Sequence, residues 1–210
     1  MPAEIIEIFP DNPDMRKIRQ VVDALKEGAI VIYPTDTVYA MGCDIFNTRA
    51  VERLCKIKGI KPQQNNFSIV CHDLSNIATY ARVSNTAFRL MKRAFPGPFT
   101  FILPATGDLP KIMQTKRKTI GVRVPDHEIP QKIIEMLGNP IITTSVKDDI
   151  DDIIEYPNEI EVIYDQNKEK ADIIIDGGWC GIEASTVVLA IDDDFEVIRE
   201  GLGDFDEINR

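Results

Sequence analysis

Apolar and polar positions along the chain recur in two periods, and each switch between periods marks an element. After Asn12-Pro13, the positions Met15, Ile18, Val21, Val22 and Leu25 follow helical spacing. They predict a capped helix with proline in its first turn and Gly28 as its stop. The apolar run Ala29-Ile30-Val31-Ile32 reads as a buried strand that breaks at Pro34 into Thr35, Asp36 and Thr37. Thr48 to Ile57 is a second amphipathic helix, with Val51, Leu54 and Cys55 on one face and Gly59 ending it. Phe67 to Cys71 reads as a strand, Asn76 to Ala81 as a short helix, and Ser84 caps another helix through Phe88, Leu90 and Met91.

Further along, Pro96-Gly97-Pro98 is a rigid turn before the β-prone run Phe99 to Leu103. Thr119 to Val124 forms a strand stopped by Pro125, Ile129 to Leu137 a helix, and Ile141 to Ser145 another strand. Residues 148–157 are acidic, interrupted by Pro157, and read as a mobile loop, with a helix from Pro157 to Tyr164. Short strands are predicted at Asp172–Ile175, Thr186–Ile191 and Glu196–Arg199. Several of these late strands have no helix between them. The pattern therefore predicts one α/β domain over residues 1–210, a twisted open mixed sheet with flanking helices.

Composition narrows the class. At 210 residues, 44% hydrophobic and 28% charged, the chain has the make-up of a soluble globular domain, and no apolar run approaches bilayer length. The start, Met1 to Glu7, lacks the basic and apolar regions of a secretory leader, so a cytoplasmic location is expected. Four scattered cysteines and two histidines, without a Cys-x-x-Cys pair, argue against a structural zinc and against a disulfide framework. The net charge of −10 hides an asymmetry: residues 1–147 hold 20 Lys and Arg against 14 Asp and Glu, while residues 148–210 hold 4 against 20. A polyanionic partner therefore stays open for the first part.

Polar groups recur where apolar strands end. Beside Thr35-Asp36-Thr37 stand Lys56-Ile57-Lys58-Gly59, Gly121-Val122-Arg123-Val124-Pro125, Thr143-Thr144-Ser145, Ala184-Ser185-Thr186-Val187-Val188 and Val197-Ile198-Arg199-Glu200-Gly201. Strand ends that open into polar loops are where α/β sheets place ligand sites, although Pro-Thr-Asp-Thr alone also fits an ordinary turn. Neither phosphate-binding glycine fingerprint is present. Cations and hydroxyls without a nucleophile–base pair suit binding of carboxylate and phosphate better than hydrolysis.

In order, Pro-Thr-Asp-Thr-Val-Tyr, Ile-Lys-Gly, Gly-Val-Arg-Val-Pro, Thr-Ser, Ser-Thr-Val-Val and Ile-Arg-Glu-Gly make a chain that resembles the YrdC-like superfamily from about residue 15 to residue 203. Asn66 to Cys71, Phe88 to Lys92, Phe99 to Leu103 and Lys116 to Gly121 bring it nearest the YciO branch. The resemblance implies a threonylcarbamoyl-AMP synthase that joins L-threonine, bicarbonate and ATP, with Mg2+ accompanying the ATP, in the service of tRNA modification. It implies that Thr35 and Thr37 line the amino-acid pocket and that Lys58 reaches a carboxylate or phosphate. Arg123 would clamp the threonine carboxylate, Ser145 would sit by the nucleotide, and Ser185 would meet the amino acid or carbamate. Lys61, Lys147 and Arg199 would meet the nucleotide.

The departures fall on the phosphate side. Ile60 and Lys61 stand where synthases place arginine and proline, Lys147 replaces an asparagine, and Cys71 replaces a histidine. Cys71 reads as a buried apolar cysteine rather than a nucleophile. Two other functions compete with the synthase. One is a double-stranded RNA or tRNA-binding protein with a basic face of Lys61, Lys111, Lys116, Arg117 and Lys118. The other is a small-ligand sensor without catalysis.

Overall fold

The structure is a computed structural model that describes residues 2–114, 116, 118–146 and 156–210. Helix α1 (Met15–Glu27) forms where Ile18, Val21, Val22 and Leu25 make one buried stripe. Its N-cap is Asp14, whose carboxylate accepts from the Arg16 amide, so Pro13 lies before the helix rather than in its first turn. Gly28 ends it in the left-handed conformation at φ 100°. Helix α2 (Thr48–Ile57) takes the predicted span, but its C-cap is Lys58, with Gly59 one residue on at φ 65°. Then follow α3 (Leu74–Tyr80), α4 (Asn85–Ala94) capped by Ser84, α5 (Glu128–Leu137), α6 (Ile160–Asn167) and the short α7 (Phe205–Ile208). Helix α6 starts three residues later than expected, and the predicted acidic loop lies largely outside the described residues. No helix among the described residues is long and apolar enough to cross a membrane.

Among the described residues, ten strands form one sheet: β1 (Glu4–Glu7), β2 (Val31–Tyr33), β3 (Ala40–Asp44), β4 (Ser68–Val70), β5 (Phe99–Pro104), β6 (Thr119–Arg123), β7 (Ile141–Ser145), β8 (Ile173–Asp176), β9 (Thr186–Ile191) and β10 (Asp194–Arg199). Their order is β1-β8-β2-β3-β7-β4-β6-β5-β9-β10, with parallel and antiparallel neighbours mixed. The pattern missed β1 and β3. The first is four residues long and ends in glutamates, and the second is hidden by the polar turn before it.

Alternation along each strand divides the sheet into two faces. Ile32, Ile69, Val122, Ile142, Ile174 and Val188 enter one core together with the buried sides of α2, α3 and α4. Their neighbours Val31, Tyr33, Val70, Ile141, Ile173 and Ile175 point the other way, under α1 and α5. Those two helices pack on each other and cover only part of that second face. Among the described residues no helix packs on the remainder, and the site lies there.

Candidate functional site

Uncovered positions on β3, β7, β4, β6, β5 and β9 line a cavity of about 780 Å3. Period-2 alternation selects them: Thr119, Gly121 and Arg123 from β6, Thr100 and Ile102 from β5, Val187, Leu189 and Ile191 from β9. One cross-strand row runs Gly42, Thr143, Ser68, Gly121, Ile102, Leu189. Gly121 keeps this floor low, since a Cβ there would stand 2.2 Å from Ser68 Oγ. One wall is apolar, built by Ile102, Leu189 and Ile191, while the floor around Arg123 is rich in hydroxyls.

Arg123 is buried and reaches from β6 to the Pro34–Thr37 turn. Its Nη2 donates to Asp36 Oδ1 at 2.5 Å, Thr37 Oγ1 at 2.6 Å and Thr35 Oγ1 at 3.3 Å. Thr35 in turn donates to the Val38 carbonyl at 2.6 Å. That leaves Thr37 as the donor in the 3.1 Å contact between the two threonine hydroxyls. The protons thus run in one direction from guanidinium to backbone. Two atoms of the ion pair stay unpartnered and buried, Arg123 Nε and Asp36 Oδ2. Arg123 itself lines the cavity, while its Nε is closed off from that space. Thr35 and Thr37 do not line the cavity as expected; they stand behind Arg123 and hold it.

The opposite wall is organised by Arg199, which leaves β10 and turns back on Ser185. Its Nη2 donates to the Ser185 carbonyl at 2.7 Å and to Ser185 Oγ at 3.3 Å, and its Nε donates to the same carbonyl at 3.2 Å. Ser185 Oγ also shares a 2.8 Å hydrogen bond with Thr100 Oγ1. Burial pulls the Arg199 guanidinium below the ordinary arginine range, with Tyr156 opposing that effect. Lys58, at the end of α2, and Ser145, at the end of β7, both line the cavity.

One other expected residue does not join. Lys61 is exposed and is not among the lining residues, and Lys147 lies outside the described residues. Pattern reading missed Thr100 and Ser68, and it named Thr143 as part of a polar strand end without giving it a role. The signal for Thr100 was a single hydroxyl inside the apolar run Phe99–Leu103. Cys71 is fully buried in the core on the opposite face, and burial pushes its thiol far above the ordinary range, so it is no nucleophile. Cys180 is likewise pushed up to about 11 by burial. Among the described residues no cluster of His, Cys, Asp and Glu is placed to hold a metal ion, and the lining offers neutral oxygens and amides instead.

Compared with known proteins, residues 23–201 match the family model Sua5_yciO_yrdC, described as Telomere recombination. The chain is 43% identical over 203 residues to YciO of Escherichia coli (strain K12), covering 96% of this chain and 97% of that protein. The crystal structure of E. coli YciO superposes with a TM-score of 0.89 at 41% identity, over 96% of this chain and 97% of the other. A threonylcarbamoyl-AMP synthase of Vibrio vulnificus (strain YJ016) is 35% identical over 131 residues, 61% of this chain and 70% of that protein. The crystal structure of P. abyssi Sua5 complexed with L-threonine superposes with a TM-score of 0.84 at 30% identity, over 94% of this chain and 57% of that one.

Proposed function

The chain belongs to the Sua5/YciO/YrdC family, and from that premise we propose that its cavity joins L-threonine, bicarbonate and ATP into threonylcarbamoyl-AMP. The observation that carries this reading is the floor around Arg123: a buried guanidinium beside hydroxyls and a second cation, Lys58. Such a floor binds carboxylate and phosphate oxygens and holds no activated nucleophile. The threonine bound to P. abyssi Sua5 supports an amino acid as one occupant.

The chemistry asks the protein for alignment rather than covalent participation. The threonine amine attacks the carbon of bicarbonate, forming the C–N bond of a carbamate with loss of water. A carbamate oxygen then attacks the α-phosphorus of ATP, and the bond to the β-phosphate oxygen breaks to release pyrophosphate. Arg123 orients the threonine carboxylate from the part of its guanidinium that faces the cavity, while Nη2 stays tied to Asp36, Thr35 and Thr37. Lys58 offsets charge gathering on the phosphate in flight. Arg199 lines the cavity and holds the Ser185–Thr100 pair in place, and its guanidinium is the further cation for the nucleotide phosphates. The lining hydroxyls of Thr144 and Ser145 would serve as neutral oxygen ligands for a magnesium ion brought by ATP, which would offset phosphate charge.

Pyrophosphate release, followed with each reactant omitted in turn, tests the reading. The expected result is release that requires threonine, bicarbonate and ATP together; release indifferent to threonine or bicarbonate defeats it. A second reading, binding of double-stranded RNA, is favoured by one juxtaposition. The short 3-10 turn Pro62–Gln64 after Lys61 packs on the turn Lys111–Met113, so exposed Lys61, Lys111, Lys116 and Lys118 lie along neighbouring segments. Arg117 falls outside the described residues. Absence of RNA binding at low salt removes that reading.

A further inference from the structure

Beside the cavity floor, on the same face of the sheet, lies a fully buried tyrosine that the mechanism above does not use. Tyr33, on β2, is 1% exposed, and its hydroxyl meets Thr143 Oγ1 at 2.9 Å. Among the described residues this is the only hydrogen bond either side chain makes. The phenol proton has no other acceptor, and leaving a buried hydroxyl proton unpaired is costly. Tyr33 must therefore be the donor, and Thr143 the acceptor. A threonine hydroxyl has one proton of its own. With one lone pair occupied by the phenol, that proton is turned away from Tyr33, and Thr143 lines the cavity. Burial pushes the Tyr33 phenol well above the ordinary tyrosine range, outweighing its bond to Thr143 and the nearby Arg123 charge, so it keeps the proton it donates. Arg123 and Thr143 line the same cavity.

We propose that Tyr33 is a positioning residue that makes Thr143 a one-way hydrogen-bond donor to a carboxylate oxygen of the amino-acid substrate, alongside Arg123. The inference rests on the synthase reading and deepens it. Hydroxyls whose protons turn freely present a lone pair to an anion part of the time; Tyr33 removes that option. The contact is made to bound substrate and transition state alike, so its loss raises KM for threonine and leaves kcat unchanged.

The test is a double-mutant cycle on pyrophosphate release with threonine varied. Tyr33→Phe is expected to raise KM about two- to threefold, the cost of restricting a freely turning hydroxyl to the donating one of its three staggered settings. Thr143→Val should raise it at least as much, and Thr143→Ser, which keeps the hydroxyl, should restore near-parental KM. The signature is non-additivity: Tyr33→Phe added to Thr143→Val changes KM no further, because Tyr33 acts only through that hydroxyl. A Tyr33→Phe variant with parental KM, or one whose effect adds in full to Thr143→Val, overturns the inference while the synthase reading stands. A parent protein with no threonine-dependent release overturns the synthase reading, and the inference falls with it. If Thr143→Val fails to fold, Tyr33→Phe against Tyr33→Phe/Thr143→Ser decides: the serine hydroxyl, equally unoriented, should give the same raised KM in both, and a parental KM in either overturns the proposal.

Discussion

Two parts of one sheet face show how the same backbone makes a core or a site. Under α1 and α5, that face carries Val31, Tyr33, Ile141, Ile173 and Ile175, packed on Ile18, Val21, Leu25, Ile129 and Ile133. Two residues further along the same strands, where none of the described helices lies, Ile141 gives way to Thr143 and Val70 to Ser68. Along β7 the change from isoleucine to threonine is the boundary of the helix cover. A covered face gains from apolar area removed from water. An uncovered face that must stay concave needs polar groups held by one another, which is what the Arg123, Asp36, Thr35 and Thr37 network provides.

The largest expected effect breaks the polar side of this comparison. Arg123→Ala leaves Asp36 buried without its cation, and should cost about 3–5 kcal/mol in urea unfolding and abolish threonine-dependent turnover. An Asp36→Asn change in the same chain should recover part of the stability but none of the turnover. A variant as stable as the parent would show that the network contributes nothing to the fold.

On the covered side, Leu25→Ala removes a side chain 1% exposed and should cost about 2–5 kcal/mol. Turnover per folded molecule should not change, which calorimetry and kinetics on one sample can check. A fall in kcat/KM of the folded protein would mean that the two parts are coupled.

Gly121→Ala sharpens the boundary between them. The new methyl meets Ser68 Oγ at 2.2 Å, which can rotate away, and Ser68 Cβ at 3.0 Å, which cannot. The expected loss is about 1–2 kcal/mol, with a higher KM because the floor is raised. Adding Ser68→Gly should return most of the stability.

The smallest effect is a pH dependence at His127, the N-cap of α5, whose Nδ1 accepts from the Ile129 amide at 3.3 Å. Burial holds its folded-state pKa below the ordinary 6.5, against the opposing pull of Asp36, Asp126 and Glu128. The unfolded chain therefore takes up the proton first. This contribution is complete above pH 6.5 and is lost as pH falls from there toward the lowered folded value. His127→Asn keeps a capping acceptor and should flatten the slope between pH 7 and pH 5 in thermal unfolding. A parent whose stability rises on acidification through that window would contradict the assignment.

Most elements were legible because they carry a period. The spans of α2, β7 and β9 agree with the pattern, since buried stripes and flanking caps mark them directly. Strand β1 was missed because four residues with glutamates at both ends give no period to read. Strand β3 was missed because Ala40–Asp44 follows a polar turn and is buried on both faces, so nothing alternates. For the site, Lys58, Arg123, Ser145 and Ser185 were found as polar groups at strand ends, and all four line the cavity. Thr35 and Thr37 were found for the same reason but misplaced: a hydroxyl after a strand reads alike whether it faces a ligand or the arginine behind one.

Sequence alone determined most of the helices and strands, that the sheet is mixed, and that hydroxyls and cations stand where elements end. All of these rest on local periodicity and side-chain chemistry. Tertiary structure alone decided where the helices stop covering the sheet, and so which hydroxyls face a cavity and which are spent on Arg123 or Arg199. It also decided the direction of the hydroxyl protons of Tyr33, Thr35 and Thr37. Those outcomes depend on contacts between residues such as Tyr33 and Thr143, or Thr37 and Arg123, far apart in the chain. No local pattern encodes the distance between them.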